Sequence, residues 1–203
     1  MNRATAVLAV VLALGTTNAA VAPITNAFGL LTPETTITFS EVSLANGDVL
    51  TTQFSGLGVT FSDLIYDTTL IPASGLSAPV ASKLASPSDP TFDIFFTSDT
   101  IAAAFQMVGN TGTSTFQAFL IDVLVEDFTA FSTIPSTTYY GFTGILFDQI
   151  RVFPAGASLG AGASIDNIEF TRAPTAVPEP ASMALLGTGL LAVGVRRWRQ
   201  RRT

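Results

Sequence analysis

The chain has 203 residues, 48% of them apolar and 12% charged, with a formal charge of −6. That length allows one domain, or one domain with appendages, and the apolar share suffices for a core, which excludes a disordered chain. There is no Cys and no His, which removes disulfide staples, Ser-His-Asp and Cys-His nucleophiles, His-zinc sites and iron–sulfur centres.

The N-terminus reads MNRATAVLAVVLALGTTNAAVAP. Arg3 supplies a positive start, and Ala4–Leu14 is an apolar run too short to span a bilayer comfortably. Small residues follow, so residues 1–22 are predicted to be a secretory signal peptide. Thr17-Asn18-Ala19 offers a cleavage site after Ala19; Ala20-Val21-Ala22 is a second, with Pro23 placed unfavourably after the cut. Residues 23–34 are expected to be a leader into the domain.

From residue 35 to 172, short strand signals alternate with turn residues. Thr35–Glu41 alternates with Ile37 and Phe39 on one side, and Ala45-Asn46-Gly47-Asp48 is a turn. Strands are predicted over 48–54 and 58–66, and a long loop over 71–90. Further strands are predicted over 92–97 and 101–108, over 115–126 as one long apolar strand, and over 138–143, 145–153 and 164–171. Phe, Val, Ile and Thr are abundant and suit half-buried pleated surfaces. About nine strands at short intervals predict an all-β fold, an antiparallel β-sandwich. The opening FSEVSLANGDVLTTQFSGLGVTFSD and the closing YYGFTGILFDQIRVF with SIDNIEF resemble secreted jelly-roll domains of the galactose-binding-like or carbohydrate-binding-module type.

Residues 173–180 read as a linker and end in Val177-Pro178-Glu179-Pro180. Residues 181–195 carry no charge and predict a short membrane helix; Trp198 and snorkelling arginines extend its span. Residues 196–203 form a basic tail with Arg196, Arg197, Arg199, Arg201 and Arg202, five of the nine basic residues. Positive charge after the span predicts a cytoplasmic tail and an external body. The triplet, the apolar helix and the arginines, in that order, resemble the sorting tail of the PEP-CTERM family. That resemblance implies export through the Sec translocon, recognition and cutting by a membrane-embedded exosortase near Pro178–Pro180, and delivery to the envelope or extracellular matrix, where exopolysaccharide and biofilm are the family's usual setting.

Residues 24–176 hold only Lys83, Arg151 and Arg172 against fourteen acids, a net of −11. Such a body repels a phosphate backbone, so nucleic-acid binding is not expected. No catalytic residue is assigned, and the chain is not expected to be an enzyme. An alternative, a glycan-active enzyme, could draw a carboxylate pair from Asp122, Glu126 and Asp127 or from Asp63 and Asp67. Another is a self-associating surface protein. The jelly-roll resemblance implies a structural calcium, for which Glu41 and Asp166 are the corresponding positions. Glycan contact would use aromatic faces, and Tyr66, Tyr139 and Tyr140 are the candidates. The expected function is therefore a non-enzymatic structural or adhesive role, with glycan contact in an exopolysaccharide matrix.

Overall fold

The computed structural model describes residues 22–69, 75–83, 91–133, 138–156 and 162–175. All of the predicted signal peptide 1–22 except Ala22, and the Pro-Glu-Pro triplet, the predicted membrane helix and the arginine tail, lie outside them. The chain divides into two compact units, Met1–Ala173 and Pro174–Thr203, and the β-domain belongs wholly to the first. Among the described residues no helix is long and apolar enough to cross a membrane.

Among the described residues eleven strands form, all antiparallel: β1 (Ala22–Asn26), β2 (Thr35–Ile37), β3 (Val49–Leu50), β4 (Val59–Ser62), β5 (Leu64–Asp67), β6 (Val80–Lys83), β7 (Phe92–Gly109), β8 (Gly112–Leu120), β9 (Val123–Ser132), β10 (Tyr139–Phe153) and β11 (Ala163–Arg172). The expected all-β antiparallel, sandwich-like architecture is present. Its two layers share the long strands β7 and β10. One layer runs β4, the first part of β7, the last part of β10, β8 and β9. The other runs β5, β6, β11 with β2 on its flank, the second part of β7, the first part of β10 and β1.

Several predicted boundaries move, each for a local reason. The stretches 92–97 and 101–108 are one bent strand, not two strands around a turn, and 138–143 and 145–153 are likewise one. Register shifts flanking Phe147, with Gly144 at φ 79°, bend β10 without ending it. The single long strand predicted over 115–126 is instead a hairpin, because Ile121 and Asp122 adopt φ of 51° and 60° and reverse the chain. Asp63, at φ 61°, splits β4 from β5. β6 lies inside the predicted 71–90 loop. β1 falls in the predicted leader, which is therefore part of the domain. Ala22 pairs opposite Thr143, so of the two cleavage sites, the one after Ala19 keeps β1 whole.

Alternation explains the core. Val59 and Phe61 in β4, and Leu64 and Tyr66 in β5, point inward while their neighbours do not. Phe116 of β8 stacks on Tyr140 of the opposite layer at 4.9 Å and on Phe128 of β9 at 4.9 Å, so aromatic rings join the layers directly. Phe39 sits at φ 61°, a strained conformation for a bulky residue, and its ring is locked against Phe54 at 5.3 Å and Phe61 at 5.7 Å. Gly141 of β10 admits no side chain, because a Cβ there would run into the Ala103 carbonyl oxygen of β7.

The segment after β1 straps the outer face of the second layer. Asn26 Oδ1 accepts the Phe28 and Gly29 N–H groups at 2.7 Å each, and Glu169 Oε2 accepts Leu30 N–H at 2.6 Å. Gly29 has φ 67°, and the space beside its Cα is taken by the Glu169 carboxylate. Ile24, Ala104 and Tyr139 thereby form a small second core with Leu30.

Candidate functional site

Strand register assembles a polar row across the outer face of the first layer. Ser62 of β4 lies opposite Asp93 of β7, Asp93 opposite Arg151 of β10, Arg151 opposite Gln117 of β8, and Gln117 opposite Asp127 of β9. Asp93 organises the centre. Its Oδ1 accepts Gln149 Nε2 at 2.7 Å and Arg151 Nε at 2.8 Å, while Oδ2 accepts the Ser62 hydroxyl at 3.1 Å and a second Arg151 nitrogen at 3.4 Å. The guanidinium lies over the Phe119 ring at 5.4 Å, stacked and forked at once. Phe153, partly exposed, sits two residues along β10 opposite Thr115 of β8, which lies opposite Thr129 of β9 on the same face. A flat face of aromatic edges, an amide and a fixed guanidinium can hydrogen-bond vicinal hydroxyls while an apolar ring covers a sugar's C–H face. None of this was legible residue by residue: Asp93 and Arg151 are 58 positions apart, and only register brings them together.

The three predicted contact tyrosines are elsewhere and buried, which corrects their assignment as sugar platforms. Tyr66 donates its hydroxyl to the Val42 carbonyl at 3.3 Å, and Tyr140 donates to the Phe131 carbonyl at 3.0 Å, both rings in the main core. Tyr139 points to the opposite side of β10, as alternation requires, but the strap covers that side. Burial, and then the negative Glu169 beside it, push the Tyr139 hydroxyl up to about 12. Burial also raises the Glu169 carboxyl, against its hydrogen bonds from Leu30 and Tyr139. Among the described residues the exposed aromatic rings are Phe28, Phe131 and Phe153.

Glu41 and Asp166 are brought within electrostatic reach of each other. Asp166 is buried, accepts the Asn167 N–H at 2.7 Å and the Ser77 N–H at 3.4 Å, and is pushed up to about 6 by burial, with the charge of Glu41 adding to the rise. Glu41 accepts the Thr38 N–H at 2.8 Å. Calcium takes six to eight oxygens, and among the described residues no three acidic side chains gather to hold a metal. The two carboxylates alone therefore do not make a calcium shell.

The proposed catalytic carboxylates do not converge on a cleft. Asp122 is at the exposed hairpin turn, and Glu126 and Asp127 follow on β9. Asp63 ion-pairs with Lys83 at 3.6 Å. Asp67 is opposed by burial, but hydrogen bonds from Thr69 and Ser82 hold its carboxyl below the usual range, the reverse of what a general acid needs.

Residues 176–202 match the family model of the PEP-CTERM protein-sorting motif, a span that takes in Val177–Pro180 and all five terminal arginines. No curated protein matches the chain. Among solved structures, a family 29 carbohydrate-binding module, studied for ligand recognition, is 14% identical, with a TM-score of 0.38 over 60% of this chain and 98% of its own. A second, TmCBM61 in complex with β-1,4-galactotriose, is 11% identical, with a TM-score of 0.30 over 58% and 83%.

Proposed function

We propose that this chain is an exported protein whose C-terminal segment is a disposable sorting signal and whose jelly-roll-class body is a non-catalytic structural or adhesive module outside the cytoplasm. The observation that carries this reading is the sorting motif at 176–202; the N-terminal stretch expected to be a secretory signal peptide agrees with it. Exosortase is then the processing partner, and the membrane is a station before processing. Intact-mass analysis of the mature protein from its native host tests it. The expected species lacks Arg196–Arg202 and ends beside Pro178–Pro180, and a mature species that keeps the arginines would sink the reading.

The body's contact with the matrix is assigned to exopolysaccharide, through the Asp93–Arg151–Phe119 face. Its support is the guanidinium of Arg151, held by Asp93, and the partly exposed Phe153 on the same face. Arg151→Ala is expected to lower co-sedimentation with the host's extracted exopolysaccharide at least tenfold, with the far-UV spectrum unchanged. Unaltered co-sedimentation would remove this face from the reading while leaving the sorting step intact.

A further inference from the structure

One end of the sandwich gathers exposed apolar side chains around an uncharged trench. The trench lies on the outer face of the second layer and is formed by two adjoining cavities of about 350 and 430 Å³. Its floor is a cross-strand row of small side chains, since Ala102 pairs with Thr143 on one side and Thr171 on the other. The strap forms one wall, ending in Leu31, which is 96% exposed, and the β10 bulge forms the other, ending in Leu146. Among the described residues, no charged side chain lines either cavity. The β8–β9 tip stands beside the bulge: the Ile121 N–H donates to Asp148 at 3.1 Å, two residues beyond Leu146. Ile121 is 78% exposed, with Val123 and Leu124 next to it, also exposed. It holds φ 51°, a conformation that a β-branched side chain rarely adopts. Strain that keeps a large apolar side chain in water points to a use for it.

The chain leaves the body at this same end. Thr171 is on the trench floor, and two residues later the Ala173 N–H donates to the Asp99 carbonyl at 2.8 Å. The uncharged run 181–195 begins eight residues after Ala173. At about 3.3–3.6 Å per residue, that length of chain reaches at most about 29 Å. Whatever holds 181–195 therefore holds this end of the body within that distance. The other end of β9 is farther away. Phe131, also exposed, lies eight residues beyond Val123, about 27 Å along the strand.

We infer that this end of the body docks on the bilayer that holds 181–195, with Leu31, Leu146 and the β8–β9 tip seated among phospholipid headgroups and upper acyl chains. The inference rests on reading 181–195 as a membrane segment. The length of the tether and the apolar rim come from different parts of the sequence, and they coincide at one end. A tethered body meets lipid at a high effective concentration, so a small apolar rim suffices where a free body would dissociate. Exposed apolar surface of this kind is what recognition sites retain. Charge narrows the lipid. Residues 24–176 carry fourteen acids against three bases, and Asp122 and Asp148 lie at the tip, so an anionic surface repels this end. The fitting partner is a zwitterionic phospholipid, whose ammonium groups can meet Asp122 while its acyl chains meet the leucines.

Trp198 is the only Trp, so Trp198→Phe clears the background for single Trp reporters. The full chain is reconstituted in phosphatidylcholine vesicles that carry brominated acyl chains. Leu31→Trp and Ile121→Trp are expected to emit at shorter wavelength and to be quenched at least threefold more strongly than Phe131→Trp, which is exposed and apolar but at the far end of β9. Replacing half of the phosphatidylcholine by phosphatidylglycerol should lower the quenching at both sites. Trp198 itself, in the unmodified chain, reports whether the C-terminal segment is in the bilayer. Quenched Trp198, with Leu31→Trp no more quenched than Phe131→Trp, would overturn the docking and leave the membrane segment standing. Unquenched Trp198 would overturn both. Quenching undiminished by phosphatidylglycerol would overturn the choice of a zwitterionic lipid.

Discussion

Truncation of Phe116 to Ala is expected to remove about 3–5 kcal/mol from the unfolding free energy of the body. The ring is fully buried and has aromatic neighbours in both layers: Tyr140 at 4.9 Å and nearly parallel, Phe128 at 4.9 Å, and Phe105 at 6.1 Å. Removing it opens a cavity between two sheets held by strand hydrogen bonds at their shared strands, so neither layer can shift inward to fill the gap without disturbing β10. The loss combines the transfer term of a phenyl group with the residual void and the forfeited ring–ring contacts. Single domains hold about 5–15 kcal/mol in total, so the variant should sit near the edge of folding. Phe153→Ala, at a partly exposed position on the outer face, should shift stability by about 0.5 kcal/mol or less. Urea denaturation of both variants measures the contrast. A Phe116→Ala loss below about 1 kcal/mol would mean that the layers are not clamped through this ring.

The same ring shows why the fold was largely legible and the site was not. Phe116, Ala118 and Ser114 alternate with polar neighbours on β8, and that period of two is visible in the sequence wherever one face is buried and the other wet. It fails where a strand is covered on both faces. Alternation sends Tyr139 and Tyr140 to opposite faces of β10, yet both are buried because the 26–32 strap lies over the outer face. It also fails at turns that lack their usual residues. Ile121-Asp122 contains neither Gly nor Asn, so the 112–132 hairpin looks like one continuous apolar strand. β6 was hidden by the Pro- and Ser-rich residues on either side of it. The Asp93–Arg151–Gln149 network depends on which strands become neighbours, and nothing local to either residue encodes that. The Glu41–Asp166 proximity was anticipated only through resemblance, and burial, with the charge of Glu41 adding to it, raises the Asp166 carboxyl.

Raising the pH from 5 to 7.5 is expected to destabilise the body, and Asp166 is the main reason. Its carboxyl is pushed up to about 6 in the folded state from 3.8, by burial first and with Glu41 adding repulsion. A group whose folded pKa is raised stabilises the fold fully below its unfolded pKa, and that contribution is lost as pH climbs through the folded value. The window is therefore about pH 4 to 7, and the amplitude is at most roughly 3 kcal/mol at 1.36 kcal/mol per unit. Glu169 is raised as well, also by burial, and acts in the same direction. Glu34 and Asp67 are lowered and act in the opposite sense: their contributions are present above the unfolded pKa and are lost as pH falls through the folded one. Roughly half of the Asp166 amplitude, about 1.4 kcal/mol, falls between pH 5 and 7.5, so the melting midpoint should be about 3–6 °C higher at pH 5 than at pH 7.5. Asp166→Asn keeps an oxygen for the Asn167 N–H and removes the buried charge. It should raise the midpoint at pH 7.5 and flatten the profile. A flat profile in the unmodified protein would refute the assignment. The same variant decides the calcium question, which the geometry leaves as a proposal. Bound calcium would neutralise the Glu41–Asp166 repulsion, so millimolar calcium at pH 7.5 would raise the midpoint of the unmodified chain, EDTA would reverse the rise, and Asp166→Asn would abolish it. A midpoint indifferent to both calcium and EDTA would leave Asp166 as a buried carboxyl whose only counter-charge is a proton.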